Sequence, residues 1–346
     1  MAEIRRSLVA HAPLRRDPHK ILSRLLERVP PGTRPDAPVA ELEERIAGLL
    51  GKPAALFFPT GTMAQQTALR VHADRRGRPT FAAHPQCHLA LWENNGYSAV
   101  HGLRFQPVGD HNGLITLDDL HEVREPLSAL LLELPQREIG GLLPPWDDLV
   151  AQTGWAAERG IARHVDGARL WESQPYYDRP FSEIAALFDT VYVSLYKGLE
   201  GVRGAVLAGE QDVIDEASVW RRRLGGDIPD AWPLAVAALM GLDEVLPRMA
   251  EFRDHAVALA AAINADGFAR TVPEVPCTPM FHLLLPMSRQ EAEAAARELV
   301  EERGIHLFTR AQSTTDPRVS KVEVTVGVNG MGFDPQELVE LLRALR

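Results

Sequence analysis

Short runs of apolar, β-branched and small residues punctuate the first two-thirds of the chain: Ala54–Phe58, Thr80–Ala83, Ala129–Leu134, Ile161–Val165, Thr190–Leu195 and Gly204–Ala208. Each lacks the polar alternation of a half-exposed strand, so each predicts a strand buried on both faces. Amphipathic stretches such as Trp146–Arg159 lie between several of them. Strands alternating with helices imply crossover units, a mainly parallel sheet and helices on both faces. Right-handed crossovers then collect the functional loops at the carboxyl ends of the strands.

After about Gly241 the pattern changes. An Ala-rich helical stretch, Glu244–Ala265, leads to a strand at Phe281–Leu285 and a helix over Ser288–Arg303. Strands at Ile305–Phe308 and Lys321–Val326 and a helix over Pro335–Leu345 follow, which reads as a small α+β domain. Ahead of the sheet, the Pro-rich segment Val29–Pro38 separates a basic N-terminal helix from a helix over Val39–Leu50. The predicted division is an N-terminal arm (1–38), an α/β large domain (39–243) and a small C-terminal domain (244–346).

Composition narrows the function classes. Of 346 residues, 45% are hydrophobic and 24% charged, ordinary for a globular chain able to bury a large core. A formal net charge of −10 argues against a nucleic-acid groove. No apolar run approaches the roughly 20 residues needed to span a bilayer. Arg5, Arg6, Arg15 and Arg16 near the start lack the apolar core of a signal peptide, and Glu3 and Asp17 weaken a transit-peptide reading. The two cysteines, Cys87 and Cys277, fit buried thiols better than a disulfide. A soluble cytoplasmic protein is the expectation.

Four segments at strand ends carry candidate chemistry. Phe58-Pro59-Thr60-Gly61-Thr62 takes a strand into a small-residue turn and then a helix, where free N–H groups and hydroxyls suit a phosphate. The same residues also serve as an ordinary helix cap. His164-Val165-Asp166-Gly167-Ala168-Arg169 closes an apolar strand with a carboxylate, which is either a helix cap or a permanent anion beside a ring nitrogen. Ser194-Leu195-Tyr196-Lys197-Gly198-Leu199 places a lysine directly after a buried strand. It is either a snorkelling surface lysine or a desolvated amine that condenses with an aldehyde. His88 could stack on a planar cofactor and exchange protons, or could merely cap or pack. His84 and His88 are four apart, but Pro85 disturbs the helix that would align them and no third ligand is apparent, so no metal site is expected.

Taken together, the phosphate turn, the histidine, Asp166-Gly167-Ala168-Arg169 and Ser194-Leu195-x-Lys197-Gly198-Leu199 resemble the threonine aldolase and β-eliminating lyase family of fold-type-I pyridoxal-phosphate enzymes. The likeness runs from about Glu41 to Leu242. Leu132-Glu133 with Gly141-Leu142-Leu143-Pro144, and Arg221-Arg222-Arg223-Leu224-Gly225-Gly226, also look like family stretches. The resemblance implies pyridoxal 5′-phosphate (PLP) held as a Schiff base on Lys197. Asp166 would pair with the pyridine nitrogen and His88 would stack on the ring. Thr60, Gly61 and Thr62 would hold the phosphate. Arg169 would bind the phenolic oxygen or the substrate carboxylate. It further implies a homodimer or homotetramer with shared active sites, in which Arg222 is similar to a residue that reaches the neighbouring site.

The activity so implied is cleavage of the Cα–Cβ bond of a β-hydroxy-α-amino acid to glycine and an aldehyde, with His88 as candidate base and Glu93 as second. β-Elimination or other Cα chemistry on a different amino acid is the alternative. The chain departs from the family pattern where substrate and phosphate would be held. Arg6-Ser7-Leu8-Val9 replaces an Arg-Ser-Asp-Thr run, with Ser7 kept as a substrate-side candidate. Asp227-Ile228-Pro229-Asp230 replaces Gly-Met-Arg-Gln, losing a phosphate-side arginine for which Arg203 could compensate. Glu323 stands near an expected cation, leaving Arg310 or Lys321 to bind the substrate carboxylate.

Overall fold

A computed structural model describes residues 3–10 and 17–346; Arg15 and Arg16 of the basic N-terminal segment lie outside them. The described residues form two compact units. The larger comprises Glu27–Glu138 and Leu143–Leu246; the smaller takes the described part of the first 26 residues, Ile139–Leu142 and Pro247–Arg346.

The larger unit is built on a seven-stranded sheet. Its strands are β1 (Ala54–Phe58), β2 (Thr80–Ala83), β3 (Arg104–Pro107), β4 (Ala129–Glu133), β5 (Ala162–Gly167), β6 (Thr190–Ser194) and β7 (Ala205–Gly209). Their spatial order is β1-β7-β6-β5-β4-β2-β3. The pairs β3–β2, β2–β4, β4–β5 and β5–β6 are parallel. β7 runs antiparallel to both neighbours, β6 and β1. Two reversals leave β1 pointing the same way as β4, β5 and β6. Phe58, Glu133, Gly167 and Ser194 therefore end at one edge of the sheet, where Ala205 of β7 begins. Strands β4, β6 and β7 are buried throughout, as continuous apolar runs under helices require.

All six strands anticipated from apolar runs are present. The seventh, β3, has the sequence Arg-Phe-Gln-Pro and sits at the sheet edge with no fully buried residue. An edge strand needs no apolar run and tolerates a proline, so it left no such signal. The helix α1 (Ala37–Leu50) buries Leu42, Ile46 and Leu50 and ends on Gly51 in the left-handed conformation. Its successor α2 (Gly61–Arg76) starts at the Thr60 cap and buries most of its middle.

In the smaller unit a four-stranded antiparallel sheet holds Arg270–Val272, Met280–Leu285, Gln312–Ser313 and Ser320–Thr325. Helices Met249–Asp266, Arg289–Arg303 and Pro335–Arg343 belong to the same unit. The expected single helix over Glu244–Ala265 is interrupted: Pro247 lies in a 3₁₀ turn, Leu246–Arg248, and the long helix begins only at Met249. Arg6–Ser7 pairs in parallel with Ile305–His306. No helix among the described residues is long and apolar enough to cross a membrane.

Candidate active site

A cleft opens at the carboxyl edge of the large sheet. Thr60, Gly61, Thr62, His88, Glu93, Asp166, Lys197 and Arg203 all line it. Four segments far apart in sequence meet there because each lies at, or shortly after, the end of a strand that reaches this edge.

The turn after β1 forms one wall. Thr60 takes the extended conformation, and its hydroxyl accepts from the Met63 N–H at 3.2 Å. This leaves the N–H groups of Gly61 and Thr62 without partners inside the helix, at the positive end of its dipole. Gly61 is required sterically, since a Cβ there would lie 2.1 Å from the Tyr192 hydroxyl. Arg221, near the end of the helix Gln211–Arg223, donates to the Phe57 carbonyl at 2.8 Å and fixes the strand leading into the turn. A donor-rich turn whose only missing atom is a Cβ fits a phosphate group.

Asp166 is 2% exposed, and one of its oxygens accepts from the Ala168 N–H at 3.0 Å. It sits within β5 and does not cap a helix, because the next helix, Leu170–Tyr177, starts only after Arg169. Register places Asp166 between Glu133 of β4 and Tyr192 of β6. Lys197 lies just beyond β6 in a loop closed by bonds from Gly201 N–H to Leu195 O (3.0 Å) and Leu195 N–H to Gly204 O (3.2 Å). Burial, and then the charge of Arg169, lower the Lys197 ammonium to about 8, against the opposing pull of Asp166 and Glu133. A desolvated lysine of this kind supplies the neutral amine that attacks a carbonyl. Arg169 is itself buried, with Nε 4.0 Å from Glu172.

The opposite wall is the short helix His88–Trp92. His88 Nδ1 lies 3.2 Å from Glu93 Oε1, and Glu93 Oε2 accepts from Gln66 Nε2 at 2.7 Å. The Glu93 side chain is thereby sealed from solvent while His88 stays partly open. His84 is turned to other partners: its Nε2 lies 2.8 Å from Gly113 O, and its Nδ1 accepts from the Gln86 N–H. Arg203 stacks over the Tyr196 ring at 4.9 Å and lines the same cleft as the Thr60–Thr62 turn.

The remaining candidates are not among the residues that line the cleft. Ser7 and Arg310 belong to the smaller unit. Ser7 Oγ is 3.2 Å from His306 Nδ1, and Arg310 is exposed in a loop. Lys321 is on the strand Ser320–Thr325 of that unit. Arg222 of the larger unit is exposed on its helix and meets Asp227 at 3.3 Å.

Sequence reading missed Gln65, Tyr192 and Tyr196, which also line the cleft, and Glu133, which stands beside Asp166. Gln65 follows Gly61 by four residues, one helical turn, so helical spacing was a usable signal. Tyr192 lies within an apolar run whose faces the sequence does not distinguish. Burial, followed by the charge of Asp166, holds its phenol well above the ordinary range.

Comparison with known proteins bears on the same segments. The family model described as β-eliminating lyase matches residues 33–281. A low-specificity L-threonine aldolase of Arabidopsis thaliana is 32% identical over 286 residues, 79% of this chain and 79% of that protein. The low specificity L-threonine aldolase of Escherichia coli K12 is 30% identical over 242 residues, 67% of this chain and 71% of its own length. A solved chain from Listeria monocytogenes EGD-E, described as a candidate L-allo-threonine aldolase, matches with a TM-score of 0.93 at 38% identity. That match covers 99% of this chain and 96% of its own.

Proposed function

Because the chain belongs to the β-eliminating lyase family, enzymes that use pyridoxal phosphate, we propose that it cleaves the Cα–Cβ bond of a β-hydroxy-α-amino acid, giving glycine and an aldehyde. The observation that carries this reading is the meeting of Lys197, Asp166, His88 and the Thr60–Thr62 turn in one cleft. When bound, PLP supplies an electron sink that weakens a bond at the substrate Cα.

The residues divide the remaining work. Lys197 offers its neutral amine to the cofactor aldehyde. Asp166 would pair with the ring nitrogen and keep it protonated. The Gly61 and Thr62 N–H groups, with the Thr60 and Thr62 hydroxyls, would hold the phosphate, and Arg203 would add the cation that the sequence after Gly226 lacks. Arg169, which PLP chemistry would need near the phenolic oxygen or the substrate carboxylate, would supply a guanidinium there. Glu93 holds His88 through Nδ1, which leaves Nε2 to accept the proton of the substrate β-hydroxyl.

The named relatives favour aldol cleavage; the family description favours β-elimination as the second reading. Product analysis separates them. Glycine plus an aldehyde from threonine, allo-threonine or phenylserine supports the first, and a keto acid plus ammonia from a substrate with a β-leaving group supports the second. A Lys197→Ala variant is expected to lose turnover and the visible band of bound cofactor, and a variant that keeps both would refute the assignment of Lys197. The proposal includes a cytoplasmic, homodimeric or homotetrameric enzyme with shared sites, as the resemblance to the family implies. Sedimentation of the loaded enzyme checks the assembly.

A further inference from the structure

Gln65 stands on the second turn of α2 and is only 2% exposed. Its Oε1 lies 2.6 Å from His164 Nε2. His164 Nδ1 lies 2.8 Å from Thr190 Oγ1, and the same hydroxyl lies 2.8 Å from His72 Nε2. All four side chains are buried. The line stops at His72 Nδ1, a buried atom with no hydrogen-bond partner. At its other end Gln65 lines the cleft, and among the described residues no partner is found for its Nε2.

The line has a direction. Burial lowers both imidazoles to about 3, so each is neutral and carries a single N–H. In one arrangement His72 Nε2–H donates to Thr190, the Thr190 hydroxyl donates to His164 Nδ1, and His164 Nε2–H donates to Gln65 Oε1. The atom left over is then the lone pair of His72 Nδ1. In the reverse arrangement every donor flips, Gln65 turns its oxygen to the cleft, and His72 Nδ1 carries a buried N–H with no acceptor. A buried orphan N–H is the costlier and rarer defect. A third arrangement, in which both imidazoles donate to the Thr190 oxygen, leaves the buried Thr190 hydroxyl hydrogen without an acceptor among the described residues. The first direction therefore prevails.

We propose that His72, Thr190 and His164 act as positioning residues that lock the Gln65 amide with its NH₂ toward the cleft, where it donates to an anionic oxygen of the bound cofactor. The proposal rests on reading the cleft as a PLP site. It adds a donor one helical turn after Gly61 and explains why His72 of α2 and His164 of β5 are buried in neutral form. It also explains why a cleft lined by cationic and hydroxyl donors contains one amide that no protein group satisfies.

Two measurements test it. In ¹⁵N-histidine spectra of the cofactor-free protein, His72 and His164 should both carry their proton on Nε2 throughout the neutral range; an Nδ1–H tautomer at either ring overturns the direction. In titrations of cofactor-free protein with PLP, followed by visible absorbance, Gln65→Leu and the unbranched, uncharged Gln65→Met should each weaken affinity about tenfold, the worth of one hydrogen bond to a charged group. Thr190→Val should weaken it less, and should add nothing once Gln65→Leu is present, because the hydroxyl acts only through the amide. Unaltered affinity in both Gln65 variants, or full additivity with Thr190→Val, overturns the proposal. Failure of the unaltered protein to bind PLP would instead overturn the reading of the cleft and the ligand half of this inference with it, while the tautomers still decide the direction of the line.

Discussion

Glu133 and Asp166 stand opposite each other on adjacent parallel strands, in register at the edge where the cleft opens. Glu133 accepts from the Arg137 N–H at 3.2 Å and from Gln136 Nε2 at 3.3 Å. Burial, then the charge of Asp166, raises its carboxyl from 4.5 to about 8, so Glu133 is protonated at pH 7. The folded cofactor-free protein then holds a proton that the unfolded chain has released. The contribution of Glu133 to stability should fall as pH rises from about 4.5 to about 8, by at most about 1.4 kcal/mol per pH unit. The two buried neutral imidazoles, His72 and His164, add stability as pH rises toward 6.5. Glu133→Gln keeps the shape and cannot ionise, so its stability relative to the unaltered protein should grow over that window. Urea midpoints at pH 5, 6.5 and 8 measure this. A difference that is the same at all three values refutes the assignment.

Asp166, Lys197 and the Thr60–Thr62 turn were legible because each sits directly after an apolar run, and the sheet delivers the ends of such runs to one edge. Glu133 sits at the end of such a run too, but its meaning comes from Asp166 beside it, and strand neighbours are a property of sheet order. His164 and His72 were silent for a related reason. They lie 92 residues apart in number, and each is bonded to the same Thr190 hydroxyl only because α2 packs on the sheet. Edge strand β3 and the break at Pro247 show the opposite limits, a strand without an apolar signature and a helical pattern interrupted by one residue.

Gly61→Ala should disturb the phosphate turn more than the rest of the fold. The added methyl would meet the Tyr192 hydroxyl at 2.1 Å and its ring carbon at 2.8 Å. Overpacking of this kind costs about 1–3 kcal/mol. The expected result is a lowered melting temperature with weakened PLP affinity. Adding Tyr192→Phe should recover part of the loss, since the hydroxyl is the closer obstacle and the ring remains. No recovery in the double variant would show that the clash is relieved by movement of the backbone.

His88 and Glu93 are separable by substitution. His88→Phe keeps a ring against the cofactor and removes proton transfer, so cofactor binding should survive while kcat falls about 100-fold or more. Glu93→Gln keeps the bond to Gln66 within reach of an amide but no longer fixes His88 through a carboxylate. It should lower kcat by about tenfold with KM little changed, given the roughly 1.5 kcal/mol of a charge-assisted bond. A larger loss in Glu93→Gln than in His88→Phe would reverse the two roles and make Glu93 the base.

Arg203 tests whether the chain has replaced a lost cation. The segment after Gly226 offers Asp227 and Asp230 and no arginine, while Arg203 lines the cleft with the turn that would hold the phosphate. Its guanidinium is steadied over the Tyr196 ring at 4.9 Å, so little side-chain freedom is lost on meeting an anion. Arg203→Ala should weaken PLP affinity about tenfold or more, the scale of one charge-assisted hydrogen bond. Arg203→Lys should fall in between, because a lysine restores the charge without the planar stack. The titration should also show the loss shrinking as salt is raised, since the unaltered protein gives up part of this charge term to screening. Equal affinities in all three proteins would leave the phosphate to the Thr60–Thr62 turn alone and rule out the compensation.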